Sequence, residues 1–359
     1  MDSPGMTELA RRALEPIAAQ ARGDARKLAA VCSMALTMGD GERAYSLACE
    51  ARRLLPDDPY ILSATQAAIT TGVPHWHFRI VRDEERNAAW NAAIERAVHA
   101  DSTVLDVGAG SGLLSMMAAR AGAGRVVACE MNPAVADAAA RVVDRNGYSD
   151  RITIVPVHSR DLTVQQMGDR ADVFVSEIIS NNVVGQDSVA TVRDVVGRLL
   201  KAGGKVIPAA TTARVALAWW GGAALKRLQE IDGFDLGEFN ILQALPHEVH
   251  RDDPALLLRS DPAALFEFDF QRLRFPDPVV RLDLPATGGP INGVVQWIRI
   301  QLDEEVVYEN MPGMDGRSCW ACLFHPFAET IAPPEGTPVA VGGEYTGSNL
   351  RIWKADERA

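Results

Sequence analysis

The sequence predicts an α/β protein in which a parallel sheet is preceded by helices and followed by a β-rich domain. Three observations predict this class. Apolar strands alternate with helical segments over residues 100–208, a pattern typical of βαβ units. Short β-rich runs separated by Pro and Gly clusters follow from about residue 209, as in an antiparallel barrel or sandwich. Ala- and Leu-rich segments with helical spacing lie before residue 72.

The first region, residues 1–72, is predicted to be all-helical. Its expected helices are Lys27–Met38, Glu42–Leu55 and Tyr60–Thr71, separated by a glycine turn and a proline-rich stop. The pair of helices resembles one tetratricopeptide-type repeat. A single copy cannot form a solenoid, so we expect a helical cap on the next domain.

The second region, residues 73–208, is predicted to hold the parallel sheet, and residues 209–359 the β-barrel. The expected parallel strands are Thr103–Val107, Arg125–Glu130, Arg151–Val157, Ala171–Glu177 and Lys205–Pro208. The expected helices of the same region are Arg82–Ala97, Leu113–Ala121, Pro133–Asn146 and Asp187–Leu200. The barrel strands are expected at Thr212–Trp219, Leu265–Phe270, Val294–Leu302, Cys319–His325, Pro338–Tyr345 and Leu350–Trp353. A helical insertion at about 223–243 is expected to act as a dimerisation arm.

Composition excludes several classes of partner. The chain has 359 residues and a net charge of −11, which argues against nucleic acid as its main ligand. No apolar run reaches the ~18 residues of a membrane span, and the first twenty residues lack a signal-peptide core. The cysteine count of five is odd, which predicts reduced thiols and a cytoplasmic location.

A glycine-rich turn is the strongest motif. Asp106-Val107-Gly108-Ala109-Gly110-Ser111-Gly112 joins a strand to a helix, and the next strand ends in Glu130, eighteen residues later. Glycines let the backbone approach a ligand closely, and an acidic side chain at the next strand end binds ribose hydroxyls. Dinucleotide dehydrogenases and methyltransferases share this arrangement. The spacing G-x-G-x-G favours a methyltransferase.

The run VLDVGAGSGLLSMMAARAGAGRVVACEMNPAVADAAARVVDRNGYSDRITIVPVHSRDL resembles the protein arginine methyltransferase family, and in particular its monomethylating branch. The likeness extends from about His77 to Trp353. It implies a Rossmann-like methyltransferase domain, a β-barrel with a helical dimerisation arm, S-adenosylmethionine as cofactor and a homodimer.

The resemblance also implies which residues bind the cofactor. In the family, the position of Arg86 holds the carboxylate of S-adenosylmethionine, and a guanidinium binds a carboxylate through two hydrogen bonds. Glu130 matches the ribose ligand. Arg160 departs from the family, which often has an acidic residue there. The full implied set is His77, Arg86, Asp106, Gly108, Gly110, Glu130, His158 and Ser159.

The implied catalytic loop follows the fourth strand. The family clamps the substrate guanidinium between two glutamates nine residues apart; Glu177 matches the first, and Gln186 replaces the second. Three explanations are open: Asp187 supplies the second carboxylate, Glu177 suffices while Gln186 positions the substrate, or arginine methylation is lost. From the sequence alone, Asp187 is also a typical helix N-cap.

A third match lies in the β-rich domain. Ser318-Cys319-Trp320 falls where the family has Thr-His-Trp, so Trp320 is expected to wall the arginine pocket. Cys319 replaces a histidine that pairs with the position of Asp83, and that ion pair should be absent. Cys319 and Cys322 form a lone C-x-x-C, which predicts no metal site.

These residues predict methyl transfer from S-adenosylmethionine to a guanidino nitrogen of arginine, with a single methyl added. Ala-rich composition and a preference for Arg over Lys resemble a high-GC bacterial protein. Bacterial members of this resemblance group methylate free L-arginine in natural-product (nitrosourea) biosynthesis, so free L-arginine is the favoured substrate. The alternatives are an arginine-containing peptide or protein, another small-molecule acceptor, and a catalytically inactive scaffold.

Overall fold

The computed structural model describes residues 14–223, 227–347 and 349–355. The chain forms two compact units. One holds the described residues up to His77 together with Asn132–Ala138, and the other holds Phe78–Met131 together with the described residues from Ala139 onward.

The first unit consists mainly of four helices: α1 (residues 14–21), α2 (Ala25–Thr37), α3 (Gly41–Leu54) and α4 (Pro59–Thr70). An aspartate begins each of the last three, because the carboxylates of Asp24, Asp40 and Asp58 accept backbone N–H groups of the first turn. The three helices expected here are confirmed to within two residues. Their buried faces form a separate apolar core.

The second unit contains a five-stranded parallel sheet in the order β3-β2-β1-β4-β5. Its strands are β1 (Thr103–Val107), β2 (Arg125–Cys129), β3 (Ile152–Val155), β4 (Ala171–Ser176) and β5 (Leu200–Ile207). The helices that follow α4 along the chain are α5 (Trp76–Val81), α6 (Glu84–Ala97), α7 (Leu113–Arg120), α8 (Pro133–Arg145), α9 (Val164–Met167) and α10 (Ser188–Arg198). The expected parallel α/β layer is therefore confirmed.

Antiparallel sheets form the β-barrel region. β6 (Ala210–Trp220) and β13 (Ile291–Gln301) are its longest strands and pair along nine residues. One apolar core contains side chains of the parallel sheet and of these strands. The remaining strands are β7 (Glu230–Ile231), β8 (Phe234–Asp235), β9 (His247–Val249), β10 (Leu256–Leu258), β11 (Ala263–Asp269), β12 (Val279–Pro285), β14 (Val307–Glu309), β15 (Cys322–Ile331), β16 (Pro338–Tyr345) and β17 (Leu350–Lys354).

The continuous helix expected at 223–243 is wrong over residues 227–236; Ala223 is helical, and residues 224–226 lie outside the described part. The dimerisation role of this segment stays a prediction. β7 and β8 form a hairpin whose turn, Asp232-Gly233, has φ values of 53° and 81°. Positive φ at both positions is the geometry of a tight hairpin turn, which a right-handed helix cannot include. A 3-10 turn, Gly237–Leu242, follows the hairpin.

Several boundaries also differ from expectation. Strand β5 begins at Leu200, which was assigned to the preceding helix, and β15 begins at Cys322, three residues after the expected start. None of the described helices combines the length and apolar composition needed to cross a lipid bilayer. The division of residues 73–359 at about residue 208 stays a prediction.

Candidate active site

The glycine-rich turn lies at the carboxyl end of β1. Gly108, Gly110 and Gly112 have φ values of 77°, 53° and 77°, a region that other L-residues rarely adopt. A Cβ atom on Gly108 would lie 2.9 Å from Cγ2 of Ile178. The absence of side chains therefore sets both the path of the turn and its close approach to the chain after β4.

Two carboxylates lie beside this turn. Oδ2 of Asp106 accepts a hydrogen bond from the Ser115 hydroxyl at 2.6 Å, whereas its buried Oδ1 has no partner among the described residues. Glu130, just after β2, accepts the backbone N–H of Gly110 through Oε2 at 3.1 Å. Burial raises the pKa of Asp106 to about 6. The turn and both acidic groups thus share one edge of the parallel sheet, where α/β folds bind ligands.

A buried ion pair lies next to them. Arg86 of α6 donates through Nη2 to Oε2 of Glu177 at 3.2 Å, and the two side chains are 4% and 5% exposed. Nε of Arg86 and Oε1 of Glu177 are buried without a partner among the described residues. Burial raises the pKa of Glu177 to about 7, although Arg86 opposes the rise. The sequence did not predict this pair; the missed signal is that two buried opposite charges on adjacent elements must neutralise each other.

Asp83 connects α6 to the segment before β15. Its Oδ1 accepts the N–H of Arg86 at 2.9 Å, which caps α6. Its Oδ2 accepts the N–H of Cys319 at 2.7 Å and the hydroxyl of Tyr308 at 3.2 Å. These contacts agree with the expected loss of an ion pair at this position. The backbone N–H of Cys319 and the phenol of Tyr308 donate hydrogen bonds to the Asp83 carboxylate.

The loop after Glu177 is attached to the barrel by hydrogen bonds. Nε1 of Trp320 donates to the carbonyl of Ile179 at 3.1 Å. Oδ1 of Asn181 accepts a hydrogen bond from the N–H of Ala321 at 3.1 Å. The backbone carbonyl of Asn181 accepts a second one from Nε2 of Gln296 at 2.9 Å. Trp320 therefore borders the Glu177 loop, and its role as a wall of the arginine pocket stays a prediction. The role of Asn181 was not predicted, because contacts between distant segments leave no local sequence pattern.

The remaining predicted cofactor residues occupy two places. His158 and Ser159 follow β3, where Nδ1 of His158 caps a 3-10 turn by accepting the N–H of Arg160 and Ser159 is buried. His77 belongs to the first unit, and its ring stacks on Trp76 at a centroid distance of 3.9 Å. The cofactor roles of all three stay predictions.

The two candidates for a second carboxylate or acceptor differ in what the structure shows. The backbone of Gln186 lies in a 3-10 turn, and its side chain is outside the described part. Asp187 occupies the N-cap of α10, but φ is 54° and its side chain makes no capping bond. Its exposed carboxylate lies 3.8 Å from Nη2 of Arg160. The expected capping position is confirmed, and the capping bond is not formed.

Cys319 and Cys322 are free thiols, and Cys322 donates to the carbonyl of Asn310 at 3.3 Å. Within residues 14–223, 227–347 and 349–355, no group of His, Cys, Asp and Glu side chains has the arrangement of a metal site.

Comparisons with known proteins agree with this geometry. A family model described as "Ribosomal protein L11 methyltransferase (PrmA)" matches residues 91–209. The chain is 33% identical over 345 residues to an "Arginine N(omega)-methyltransferase" of Streptomyces achromogenes subsp. streptozoticus, with 94% of each chain covered. This chain belongs to the arginine N-methyltransferase family. It is 31% identical over 251 residues to "Protein arginine N-methyltransferase 7" of Drosophila grimshawi; that match covers 63% of this chain and 35% of the relative.

Solved structures show the same fold. A Trypanosoma brucei "PRMT1 enzyme-prozyme heterotetrameric complex with AdoHcy" matches with a TM-score of 0.68 and 20% identity, covering 79% of this chain and 93% of that one. Arabidopsis thaliana protein arginine methyltransferase 10 matches with a TM-score of 0.67 and 19% identity, covering 80% and 96%. Both support the Rossmann-like and β-barrel architecture.

The enzyme is an S-adenosylmethionine-dependent arginine N-methyltransferase, and its site fits that cofactor. The cofactor carries a carboxylate, a cationic sulfonium and ribose hydroxyls. The unpartnered Nε of Arg86 suits the carboxylate, and the unpartnered Oδ1 of Asp106 suits cationic or donor groups. The glycines of the turn beside them, Gly108, Gly110 and Gly112, carry no side chains.

Proposed function

We propose that this arginine N-methyltransferase transfers one methyl group to a guanidino nitrogen of free L-arginine, as a step in biosynthesis. The observation that carries the proposal is Glu177: a buried carboxylate with one oxygen on Arg86 and the other, Oε1, without a hydrogen-bond partner among the described residues. A buried acceptor without a partner is costly in a folded protein, and a bound cationic donor such as a guanidinium satisfies it.

S-adenosylmethionine supplies an electrophilic methyl group when it is bound. In our proposal Arg86 holds its carboxylate through Nε, while Asp106, Gly108 and Gly110 line its methionine and ribose. Glu130 accepts the ribose hydroxyls. The adenine edge is assigned to His158 and Ser159, and a further cofactor contact to His77.

Glu177 binds and polarises the substrate. Its Oε1 accepts N–H groups of the guanidinium and draws positive charge toward the nitrogens it touches, so the attacking nitrogen becomes more nucleophilic. Trp320 walls the pocket and excludes water. No strong base is needed during attack, because the methylated nitrogen loses its proton readily afterward. Catalysis here depends mainly on positioning and desolvation.

We favour a clamp with a single carboxylate. Asp187 is exposed and lies beside Arg160, whereas Glu177 is buried. An exposed carboxylate is screened by water and polarises a buried guanidinium weakly. Gln186 then acts as a neutral acceptor that positions the substrate.

The share of this chain that each relative matches favours free arginine over a protein substrate. The match to the Streptomyces enzyme, whose name specifies arginine rather than protein arginine, covers 94% of this chain and so includes most of its N-terminal helices. The matches to protein arginine N-methyltransferase 7 of Drosophila grimshawi and Aedes aegypti cover 63% and 62% of it, and the chain spans about a third of their length. All five cysteines are free thiols, which supports the expected cytoplasmic location.

The test is product analysis by mass spectrometry. The purified protein is incubated with S-adenosylmethionine and either free L-arginine or an Arg-Gly-rich peptide. We expect free arginine to gain the mass of one methyl group and the peptide to gain none. Product from the peptide alone would overturn the proposed substrate, and a second methyl on arginine would overturn monomethylation.

We also propose a homodimer built through residues 231–245. Six apolar side chains of this segment are 48% to 88% exposed: Ile231, Phe234, Phe239, Ile241, Leu242 and Leu245. Clustered exposed apolar side chains are typical of protein interfaces. Sedimentation equilibrium should give twice the chain mass, and the double variant Phe234→Ser/Ile241→Ser should give a monomer. A monomeric wild-type protein would contradict the dimer.

A further inference from the structure

An exposed guanidinium is attached to the segment that carries Trp320. Arg79 of α5 donates through Nη2 to the backbone carbonyl of Cys319 at 3.1 Å. The N–H of the same cysteine binds Asp83, so the peptide units on both sides of Cys319 are held. The Arg79 guanidinium therefore has a defined position next to the site although the side chain is exposed.

These residues form a series from the surface to the site. Arg79 is exposed, Cys319 is partly buried, and Glu177 is buried. The negative charges of Asp83 and Glu177 both act on the Cys319 thiol and, with burial, raise its pKa, which shows that all three groups share one environment. Exposed Arg79 is thus connected through Cys319 to the surroundings of the buried carboxylate that receives the substrate guanidinium in our proposal.

The charge of Arg79 is not neutralised by a neighbour. Among the ion pairs of the described residues, none includes Arg79. A guanidinium has five N–H donors, and the contact with Cys319 uses one of them. Several donors in a planar fork remain available for a carboxylate.

We propose that Arg79 binds the α-carboxylate of the substrate and so selects free L-arginine. This inference rests on the proposed function. The carboxylate and guanidinium carbons of extended arginine are about 7 Å apart, separated by six staggered bonds. With the guanidinium at Oε1 of Glu177, the carboxylate end extends toward the surface, where Arg79 lies.

The same contact discriminates against peptides. An arginine residue inside a peptide has a neutral amide in place of the carboxylate, so it offers Arg79 no charge-assisted hydrogen bond. Specificity is a difference of affinities, and loss of one such bond lowers the relative affinity for the peptide. Arg79 is therefore a specificity-determining residue in this proposal, separate from Glu177.

The experiment compares L-arginine with L-argininamide, which lacks only the carboxylate charge. Steady-state kinetics are measured for the wild type, Arg79→Gln and Arg79→Lys. The matched control is Arg82→Gln, which removes another exposed positive charge three residues away. We expect the wild type to prefer arginine by about tenfold in kcat/KM, the gain typical of one exposed charge-assisted contact.

Arg79→Gln should lower kcat/KM for arginine about tenfold, mostly through KM, and leave argininamide within twofold. Arg79→Lys should retain part of the preference, and Arg82→Gln all of it. An equal loss on both substrates, no loss on arginine, or the same loss in the Arg82 variant would overturn the assignment.

The outcome separates this inference from the proposed function. If the wild type methylates free arginine and Arg79→Gln has the same kcat/KM values as the wild type, only the proposed role of Arg79 fails. If the wild type methylates a peptide and not free arginine, the proposed substrate fails, and the role of Arg79 fails with it.

Discussion

The Arg86 guanidinium and the Glu177 carboxylate form an ion pair at 3.2 Å in which each side chain retains one unpartnered polar atom. Those two atoms, Nε and Oε1, have opposite chemical character. One donates to an anion and the other accepts from a cation. In our proposal, this buried pair offers one contact to the carboxylate of the methyl donor and one to the substrate guanidinium.

Removal of the Glu177 charge should abolish most activity. At an effective dielectric near 20, a unit charge about 4 Å away contributes on the order of 4 kcal/mol before desolvation. We expect Glu177→Gln to lower kcat/KM for arginine by at least about a hundredfold. Calorimetric titration with S-adenosylmethionine checks that the variant still folds and binds. Activity within threefold of wild type would contradict the clamp.

The rate should depend on pH through the same carboxylate. Burial raises the pKa of Glu177 to about 7, and only the ionised form can attract the guanidinium. kcat/KM for arginine should therefore fall as pH decreases through about 7. Bound cations favour the ionised form, so the limb of the kcat profile should lie at lower pH. A flat kcat/KM profile between pH 5.5 and 8 would show that Glu177 does not titrate in this range.

The side chain of Asp83 should contribute more to the stability of the fold than that of Cys319. The carboxylate of Asp83 accepts the N–H groups of Arg86 and Cys319 and the Tyr308 hydroxyl. The Cys319 thiol also interacts with Asp83, which helps to raise the pKa of the thiol, and a serine hydroxyl can donate in its place. We expect Asp83→Ala to lower the free energy of unfolding by about 2–4 kcal/mol, from a lost cap and buried groups left unpaired. Cys319→Ser should change it by less than about 1 kcal/mol. Urea denaturation measures both, and equal losses would contradict this assignment.

Gly108→Ala should weaken cofactor binding. The added Cβ would lie 2.9 Å from Ile178 at a φ of 77°. Gly147→Ala is a matched control, because its φ is 74° but nothing lies within 4 Å of the new Cβ. Both should lose about 1–2 kcal/mol of stability from the left-handed backbone. Only Gly108→Ala should raise the Kd for S-adenosylmethionine, by tenfold or more, and an unchanged Kd would contradict the close approach.

The sequence predicted the parts of the fold that depend on local patterns. β1 and β16 have the expected bounds, and three N-terminal helices begin at aspartates whose capping role is local. The continuous helix expected at 223–243 was wrong over residues 227–236, because the Asp232-Gly233 turn has positive φ at both positions. The Asp232-Gly233 turn therefore sets a hairpin in place of a helix at this point of the chain.

The candidate site was predictable only in its motifs. The Gly108 turn, Glu130 and Glu177 were singled out because each lies at or just after the end of a predicted strand. The hydrogen bonds of Asn181 and Arg79 join segments more than a hundred residues apart. Such contacts are set by how the barrel packs on the parallel sheet, and no local pattern in the chain encodes them.

A direct competition tests the central claim most sharply. Free L-arginine and an Arg-Gly-rich peptide are mixed at equal concentration with methyl-labelled S-adenosylmethionine, and the label in each product is measured by mass spectrometry at low conversion. The ratio of products equals the ratio of kcat/KM values. The account predicts label almost entirely in monomethylated free arginine, and label mainly in the peptide would contradict it.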